Sequence, residues 1–189
     1  GGPIWSSNGQ GVYFNVREYG QSNVYYADLG GKVKKVTDGN HMLGMTDLVG
    51  KKAVATWTNP SNPSDIVSFS IDKSSKIKRL TEVNNDLFYN VEFGQVEEIT
   101  YASKDGMKVQ GWIVKPPQFD PNKKYPLVLR IHGGPHSMYH VGFNYNFQLH
   151  AAQDQVVLYT NPRGSTGYGY EFANAIQNAY PGNDYDDLM

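Results

Sequence analysis

Cysteine is absent from the chain, which excludes disulfides, thiol nucleophiles and thiolate metal sites. That absence leaves the compartment open, because cytoplasmic, periplasmic and secreted proteins can all lack cysteine. No apolar run approaches the ~20 residues needed to span a bilayer. The opening Gly1-Gly2-Pro3-Ile4-Trp5 has neither a charged nor an apolar leader segment, so no membrane partner is expected. Charge of one sign is scarce as well. The formal net charge is −1 and no long Lys/Arg block occurs. A nucleic-acid surface, which must neutralise many phosphates, is therefore not expected either.

What is present is enough apolar material to fold: 39% of the residues are hydrophobic and 13% aromatic, sufficient to fill a core. An internal repeat organises the first half. Lys32-Val33-Lys34-Lys35-Val36-Thr37-Asp38 recurs in type at every position as Lys76-Ile77-Lys78-Arg79-Leu80-Thr81-Glu82, and Asn23-Val24-Tyr25-Tyr26 aligns with Asp65-Ile66-Val67-Ser68. Strands are predicted at Val12 to Val16, Asn23 to Leu29, Val33 to Val36, Lys52 to Thr58, Asp65 to Ile71 and Ile77 to Leu80. Turn signals separate them at Asn8-Gly9, Gly30-Gly31, Asp38-Gly39 and Asn59-Pro60-Ser61-Asn62-Pro63. A period of about 40 to 45 residues with about four strands per unit is the pattern of β-propeller blades. The competing reading is an ordinary antiparallel sheet.

The composition shifts near Asn90 to Gly94. A hairpin is predicted from Glu98 to Ser103 and Met107 to Val114, turning at Lys104-Asp105-Gly106. Prolines at 116, 117, 121 and 126 make the next stretch a surface connector. Leu127 to Ile131 then reads as a central, buried strand that stops at His132-Gly133-Gly134-Pro135. Two glycines let the backbone turn tightly and can leave amide hydrogens aimed into a cleft. Fixed donors of that kind stabilise the oxyanion of an acyl-transfer intermediate by about 3 to 4 kcal/mol each, and an HGGG-type loop occupies this place in α/β-hydrolase sheets. The usual partner of such a loop, a Gly-x-Ser-x-Gly nucleophile elbow, occurs nowhere in these 189 residues. A helix from about Asn144 to Gln153 and a strand at Val156-Val157-Leu158-Tyr159 continue a parallel α/β pattern.

With Asn161-Pro162-Arg163-Gly164-Ser165-Thr166-Gly167-Tyr168-Gly169 the chain resembles the prolyl oligopeptidase family of serine peptidases, in its acylaminoacyl peptidase and dipeptidyl-peptidase-like branch. The resemblance covers nearly the whole chain, in the order blades, entry hairpin, HGGP strand and NPRGSTGYG strand. It implies an α/β plus all-β fold. The last two blades of a β-propeller would occupy residues 1–94, and the N-terminal part of an α/β-hydrolase domain, with an incomplete sheet, residues 95–189. It implies hydrolysis of short peptides through a Ser-Asp-His triad. Gly134 becomes the backbone oxyanion donor, with Gly133 supporting the turn between His132 and Pro135. Some family members place a tyrosine hydroxyl near the position of His132; this chain does not, so the resemblance implies a backbone-amide hole rather than a side-chain oxyanion donor.

Beyond Gly169, the residues Phe172, Ala175, Ile176 and Ala179 predict an amphipathic helix, and Asn183 is expected to cap another with Asp184, Asp186 and Asp187 in its first turn. In the family that last helix leads to the nucleophile strand, so all three triad residues are expected beyond Met189 and the chain alone is expected to be inactive. The strand near Val156 to Thr160 is expected to be an unpaired sheet edge that promotes self-association. Histidines 132, 136 and 140 are spaced by four, but Gly133-Gly134-Pro135 prevents the helix that would align them as metal ligands. No metal or cofactor is called for. Ser165 reads as a turn or cap residue without an identifiable base, and Arg163 as a structural ion-pair residue rather than a carboxylate-binding one. Two other functions stay open: a carboxylesterase or lipase-like hydrolase sharing the loop, and a non-enzymatic propeller module.

Overall fold

A computed structural model describes residues 2–72 and 76–189. The chain divides into two compact units: Gly1–Asn90 with His140–Phe143, and Val91–Tyr139 with Asn144–Met189.

The first unit is two four-stranded antiparallel blades. One comprises β1 (Ile4–Trp5), β2 (Gly11–Glu18), β3 (Gln21–Asp28) and β4 (Val33–Lys35). The other comprises β5 (Met42–Val49), β6 (Lys52–Asn59), β7 (Asn62–Ser70) and β8 (Lys78–Arg79), followed by the short helix α1 (Asn85–Phe88). The blades join where Ser22 of β3 meets Met42 of β5 in parallel. Tyr19 and Gly20 both hold positive φ, the requirement of a two-residue turn that keeps the right-handed twist between β2 and β3. Strand alternation sends Tyr13, Val24, Leu43, Met45, Ala53, Ala55, Val67 and Phe69 to one buried cluster.

The sequence repeat has a physical basis in a latch that each blade contains once. In the first, the Val24 amide donates to Thr37 Oγ1 at 2.9 Å, and that hydroxyl donates to Asn23 Oδ1 at 3.1 Å. In the second, the Ile66 amide donates to Thr81 Oγ1 at 2.9 Å, and that hydroxyl donates to Asp65 Oδ1 at 2.7 Å. Asn23 and Asp65 are both buried, so each needs these partners. The threonine thereby ties the segment after the outermost strand to the third strand. Asp65 is also paired with Arg79 and accepts from the Val83 amide at 3.2 Å. His140–Phe143 completes the unit: the Val141 amide donates to Gly20 O at 2.9 Å and the Phe143 amide to Thr58 Oγ1 at 3.1 Å.

The second unit is a four-stranded sheet ordered β11-β12-β10-β9, with β9 (Val96–Ala102), β10 (Lys108–Val114), β11 (Leu127–Arg130) and β12 (Val156–Asn161). β10 is antiparallel to both β9 and β12, while β11 and β12 are parallel and joined by α2 (Tyr145–Ala151). Asn144 caps α2 by accepting from the Phe147 amide at 3.1 Å. The buried Gln148 carboxamide grips both sides of Gly94, accepting from its N–H at 2.7 Å and donating to its carbonyl at 3.1 Å. Trp112 of β10 stacks on its register partner Tyr159 of β12. Two short helices follow, α3 (Tyr170–Asn174) and α4 (Asn183–Asp186). Among the described residues, no helix is long and apolar enough to cross a membrane.

Several sequence expectations are corrected. β11 is an edge strand, not a central one, and Leu127 and Ile131 are more than half exposed. Conversely, the strand expected to be a free edge, β12, is paired on both sides. Both errors have one cause: an apolar run registers how a strand is buried in the complete sheet, whereas strand order is set by crossovers that no local pattern encodes. The predicted helix over Phe172 to Ala179 forms only at Tyr170–Asn174. Asn183 lies inside α4, with Gly182 at the cap position. Pro63, read as part of a turn, lies in β7. β1 and β5 were not anticipated. In β5 the alternation that buries Leu43 and Met45 is interrupted by a register shift between Met45 and Asp47.

The latch gives a stability prediction. Burial alone raises the Asp65 carboxyl, but hydrogen bonds from Thr81, Arg79 and the Val83 amide outweigh it and hold the group below its ordinary value of 3.8. A depressed folded pKa contributes stability above that ordinary value, and the contribution is lost as pH falls through and below it. Thr81→Val is expected to cost about 1 to 3 kcal/mol at neutral pH in urea unfolding. The variant should also lose less stability than the parent on acidification.

Candidate active site

β11 ends at Arg130, and the chain enters the loop His132-Gly133-Gly134-Pro135 at the mouth of an open cleft of about 300 Å³. Ile131 and the four loop residues line one side, and Pro162, Arg163, Tyr180, Asp184 and Leu188 the other. Gly134 holds φ at +143°, and a Cβ there would lie 2.8 Å from the His136 amide nitrogen, so only glycine fits without strain. The loop closes through a bond from the Ser137 amide to Pro135 O at 2.9 Å. Among the described residues, the amides of Gly133 and Gly134 have no hydrogen-bond acceptor. Both glycines are exposed.

The loop is supported from below by the turn that follows β12. His132 Nε2 lies 2.9 Å from Ser165 Oγ, and His136 Nδ1 lies 3.1 Å from Gly164 O. The Thr166 amide donates to Ser137 O at 2.8 Å. The fully buried Asn161 side chain accepts from the Tyr139 amide at 2.7 Å and donates to Tyr139 O at 3.0 Å, fixing the far end of the loop. Its amide also bonds Tyr168 Oη at 2.6 Å.

A tyrosine ring packs beside His132. Tyr139 meets the imidazole edge-on with ring centroids 5.2 Å apart, and it also packs against Tyr159 and Phe147. Burial raises the Tyr139 hydroxyl above its ordinary value, the nearby Arg130 opposing the shift. This aromatic floor could not be read from sequence, because the residues come from the loop, α2 and β12.

Arg163 anchors the supporting turn. Its guanidinium donates through Nη2 to Asp187 Oδ1 at 2.6 Å, through Nε to Asp187 Oδ2 at 2.9 Å and through Nη1 to Asp105 Oδ2 at 2.5 Å. The Arg163 amide also donates to Asp187 Oδ2 at 2.8 Å. Arg163 and Asp187 are both buried, and their mutual hydrogen bonds hold the guanidinium charged even against desolvation. Asp187, Asp105, Ser103 Oγ and Asn183 O engage all three guanidinium nitrogens of Arg163, which ties the side chain into a structural clamp. The glycine-rich loop was legible from its own residues. The clamp was not, because its acids lie at positions 105 and 187, far apart in the chain.

Ser165 was read as lacking a base, and the structure corrects this by placing the His132 imidazole against it. The contact does not make a nucleophile. Ser165 is completely buried, and its Oγ lies 2.6 Å from Pro162 O. Among the described residues, no group of three His, Asp or Glu side chains could hold a metal ion.

Comparison with known proteins is consistent with this geometry. Residues 141–189 match the profile of the prolyl oligopeptidase family. The chain is 38% identical to an uncharacterized peptidase, YuxL, of Bacillus subtilis, over 99% of this chain and 28% of that protein. It is 26% identical to dipeptidyl-peptidase 5 of Porphyromonas gingivalis, over 98% of this chain and 27% of that protein. Among solved structures, the acylaminoacyl peptidase of Pyrococcus horikoshii matches with a TM-score of 0.81 and 28% identity, over 96% of this chain and 28% of that one. Dipeptidyl peptidase 4 of Porphyromonas gingivalis shares the fold at a TM-score of 0.74 and 20% identity, over 93% of this chain and 26% of that one. The chain thus spans little more than a quarter of these relatives.

Removing the arginine tests the support of the site. Arg163→Met leaves the Asp187 carboxylate buried without its partner, and a change of that kind costs about 3 to 5 kcal/mol. Asp105 is exposed, so Asp105→Asn should perturb chemical unfolding far less. Equal destabilisation by the two substitutions would show that burial of the Arg163–Asp187 pair does not dominate.

Proposed function

We propose that this chain, which belongs to the prolyl oligopeptidase family, contributes one half of a serine-peptidase active site. Its blades, residues 1–94, precede the first part of the peptidase domain, residues 95–189. The observation that carries this reading is the pair of acceptor-free amides at Gly133 and Gly134, held in a glycine loop at the mouth of a cleft. The loop follows the third strand of the unit in chain order and precedes its first long helix, which is where α/β-hydrolases place an oxyanion donor.

In the proposed reaction, the scissile carbonyl of a short peptide enters the cleft and is attacked by a serine hydroxyl. Charge develops on the carbonyl oxygen, and the Gly134 N–H donates to it there more strongly than to the neutral ground state. Gly133 supplies the backbone freedom that the turn needs. The amine then leaves, and water resolves the acyl-enzyme. The attacking serine and its base are assigned to the rest of the protein, since Ser165, the serine against His132, has no exposed surface.

Activity-based labelling separates these roles. A fluorophosphonate should modify the whole protein containing this chain at one serine and leave residues 1–189 alone unmodified. In that whole protein, Gly134→Ala is expected to lower kcat about 10²- to 10³-fold on a dipeptidyl chromogenic substrate with little change in KM. Labelling of Ser165, or turnover by the isolated chain that survives repurification, would overturn the assignment.

The edge strand carries a second expectation. β9 protects its edge with Glu97 and Glu98, whereas β11 presents Leu127 and Leu129 beside unpaired backbone. The isolated chain is therefore proposed to self-associate through β11. Its mass by light scattering should rise with concentration, and Leu129→Lys should suppress the rise; a monomer over a wide concentration range would contradict this.

A further inference from the structure

Equivalent positions of the two blades carry different chemistry. In the first blade Gly11 of β2 pairs with Asp28 of β3, and Tyr26 of β3 pairs with Lys34 of β4. The Tyr26 ring covers this patch: the Lys34 ammonium lies 5.2 Å from its centroid, and a Cβ on Gly11 would lie 2.5 Å from Tyr26 Oη. In the second blade the matching pairs are Lys52 of β6 with Ser70 of β7, and Ser68 of β7 with Lys78 of β8. The ring and the carboxylate are thus replaced by two hydroxyls, and the glycine by a lysine.

The second blade has an open pocket of about 450 Å³ at this place. Lys51, Lys52, Lys76, Lys78, Ser68 and Ser70 line it. One cation is already balanced, since Lys51 pairs with Asp72 at 2.9 Å and Ser70 donates to the same carboxylate. Among the described residues, Lys52, Lys76 and Lys78 have no acidic partner. Ser68 is 4% exposed, yet its hydroxyl has no hydrogen-bond partner among the described residues.

Neither feature stabilises the fold. Like charges gathered around one pocket repel, and a buried hydroxyl without a partner forfeits the hydrogen bonds it makes in water. One kind of ligand relieves both: an oxyanion that accepts from the hydroxyl and balances the amines. β7 lies between β6 and β8, so Lys78 flanks Ser68 directly and Lys52 flanks it diagonally, at the separations of about 5 and 7 to 8 Å usual for such neighbours. Both ammonium groups ride on flexible four-carbon stems and can reach an anion seated on the serine. A carboxylate brings one charge and two oxygens to three unpaired cations and a hydroxyl. A phosphate group brings about two charges and three oxygens, which matches the set better. The volume is that of a small-molecule site rather than of a bare ion.

We propose that this pocket binds a phosphate-bearing small molecule, with Ser68 as the buried donor and Lys52, Lys76 and Lys78 as the balancing cations. The site lies wholly within the first unit and does not depend on the peptidase reading.

Titration of this chain with inorganic pyrophosphate at constant ionic strength, followed by ¹H–¹⁵N spectra, tests the site. Saturable shifts are expected at the amides of Lys52, Ser68 and Lys78. Lys76→Gln combined with Lys78→Gln should weaken binding about 10-fold, and Ser68→Ala should weaken it several-fold. The repeat supplies the control: Lys32→Gln combined with Lys34→Gln removes the same charge at the equivalent positions of the first blade and should change the affinity by less than about 2-fold. These four lysines are exposed and the serine hydroxyl is unpartnered, so every variant should keep the thermal midpoint of the parent. Equal weakening by the two lysine pairs, or shifts that spread over both blades without saturating, would overturn the proposal. So would failure of the whole protein containing this chain to bind pyrophosphate in calorimetry, because the lysines would then be meeting carboxylates of the protein itself.

Discussion

The second unit is organised around one buried cation. Arg163 follows β12 directly, and its guanidinium gathers Asp105 from the β9–β10 hairpin, Asn183 O from α4 and Asp187 from just beyond that helix. Neither α3 nor α4 exceeds five residues, too few to be stable without tertiary contacts. Charge-assisted bonds from a rigid guanidinium hold the second of these in place and, through the Arg163 amide, fix the turn on which the glycine loop rests. A lysine, with its donors on a single nitrogen, could not span acceptors that Nε, Nη1 and Nη2 reach separately.

That hierarchy explains how an irregular loop keeps two amides without acceptors. A flexible loop could turn such a peptide toward any carbonyl within reach and lose the donors to an internal bond. Here Asn161, Thr166 and His136 hold the carbonyls of Tyr139, Ser137 and Gly164, the nearby groups that could otherwise capture the free N–H bonds. The aromatic packing of Tyr139, Tyr159 and Phe147 fills the volume beneath. Exposed donors and a rigid surround are therefore one design, in which the surrounding contacts hold the glycine loop in place.

Legibility in the sequence followed the range of the interaction. The Asp105-Gly106 turn, the helix beginning near Asn144 and the blade repeat depend on neighbours or on a fixed period, and all were readable. The repeat was visible as a match of residue types before its reason was known, and the reason is a threonine that returns to a buried Asn or Asp in each blade. β5 was hidden by its register shift, since a pattern of period two loses phase when one residue is inserted. The exchange of edge and centre between β11 and β12 was hidden for a different reason: the chain makes β11 first but inserts β12 between it and β10, and nothing local records that step.

The site divides along the same line. His132, Gly133, Gly134 and Pro135 announce themselves because the backbone chemistry of the loop is contained in four consecutive residues. Ser165 does not, for its meaning lies wholly in what touches it. Read alone, Gly164-Ser165-Thr166-Gly167 resembles a nucleophile without a base. Read in place, the histidine is present but the serine is completely buried, so its hydroxyl has no surface to offer a substrate in the cleft. A histidine within hydrogen-bond distance of a serine is thus not evidence of a nucleophile unless the hydroxyl can reach a substrate. Here the contact instead ties the glycine loop after β11 to the turn that follows β12.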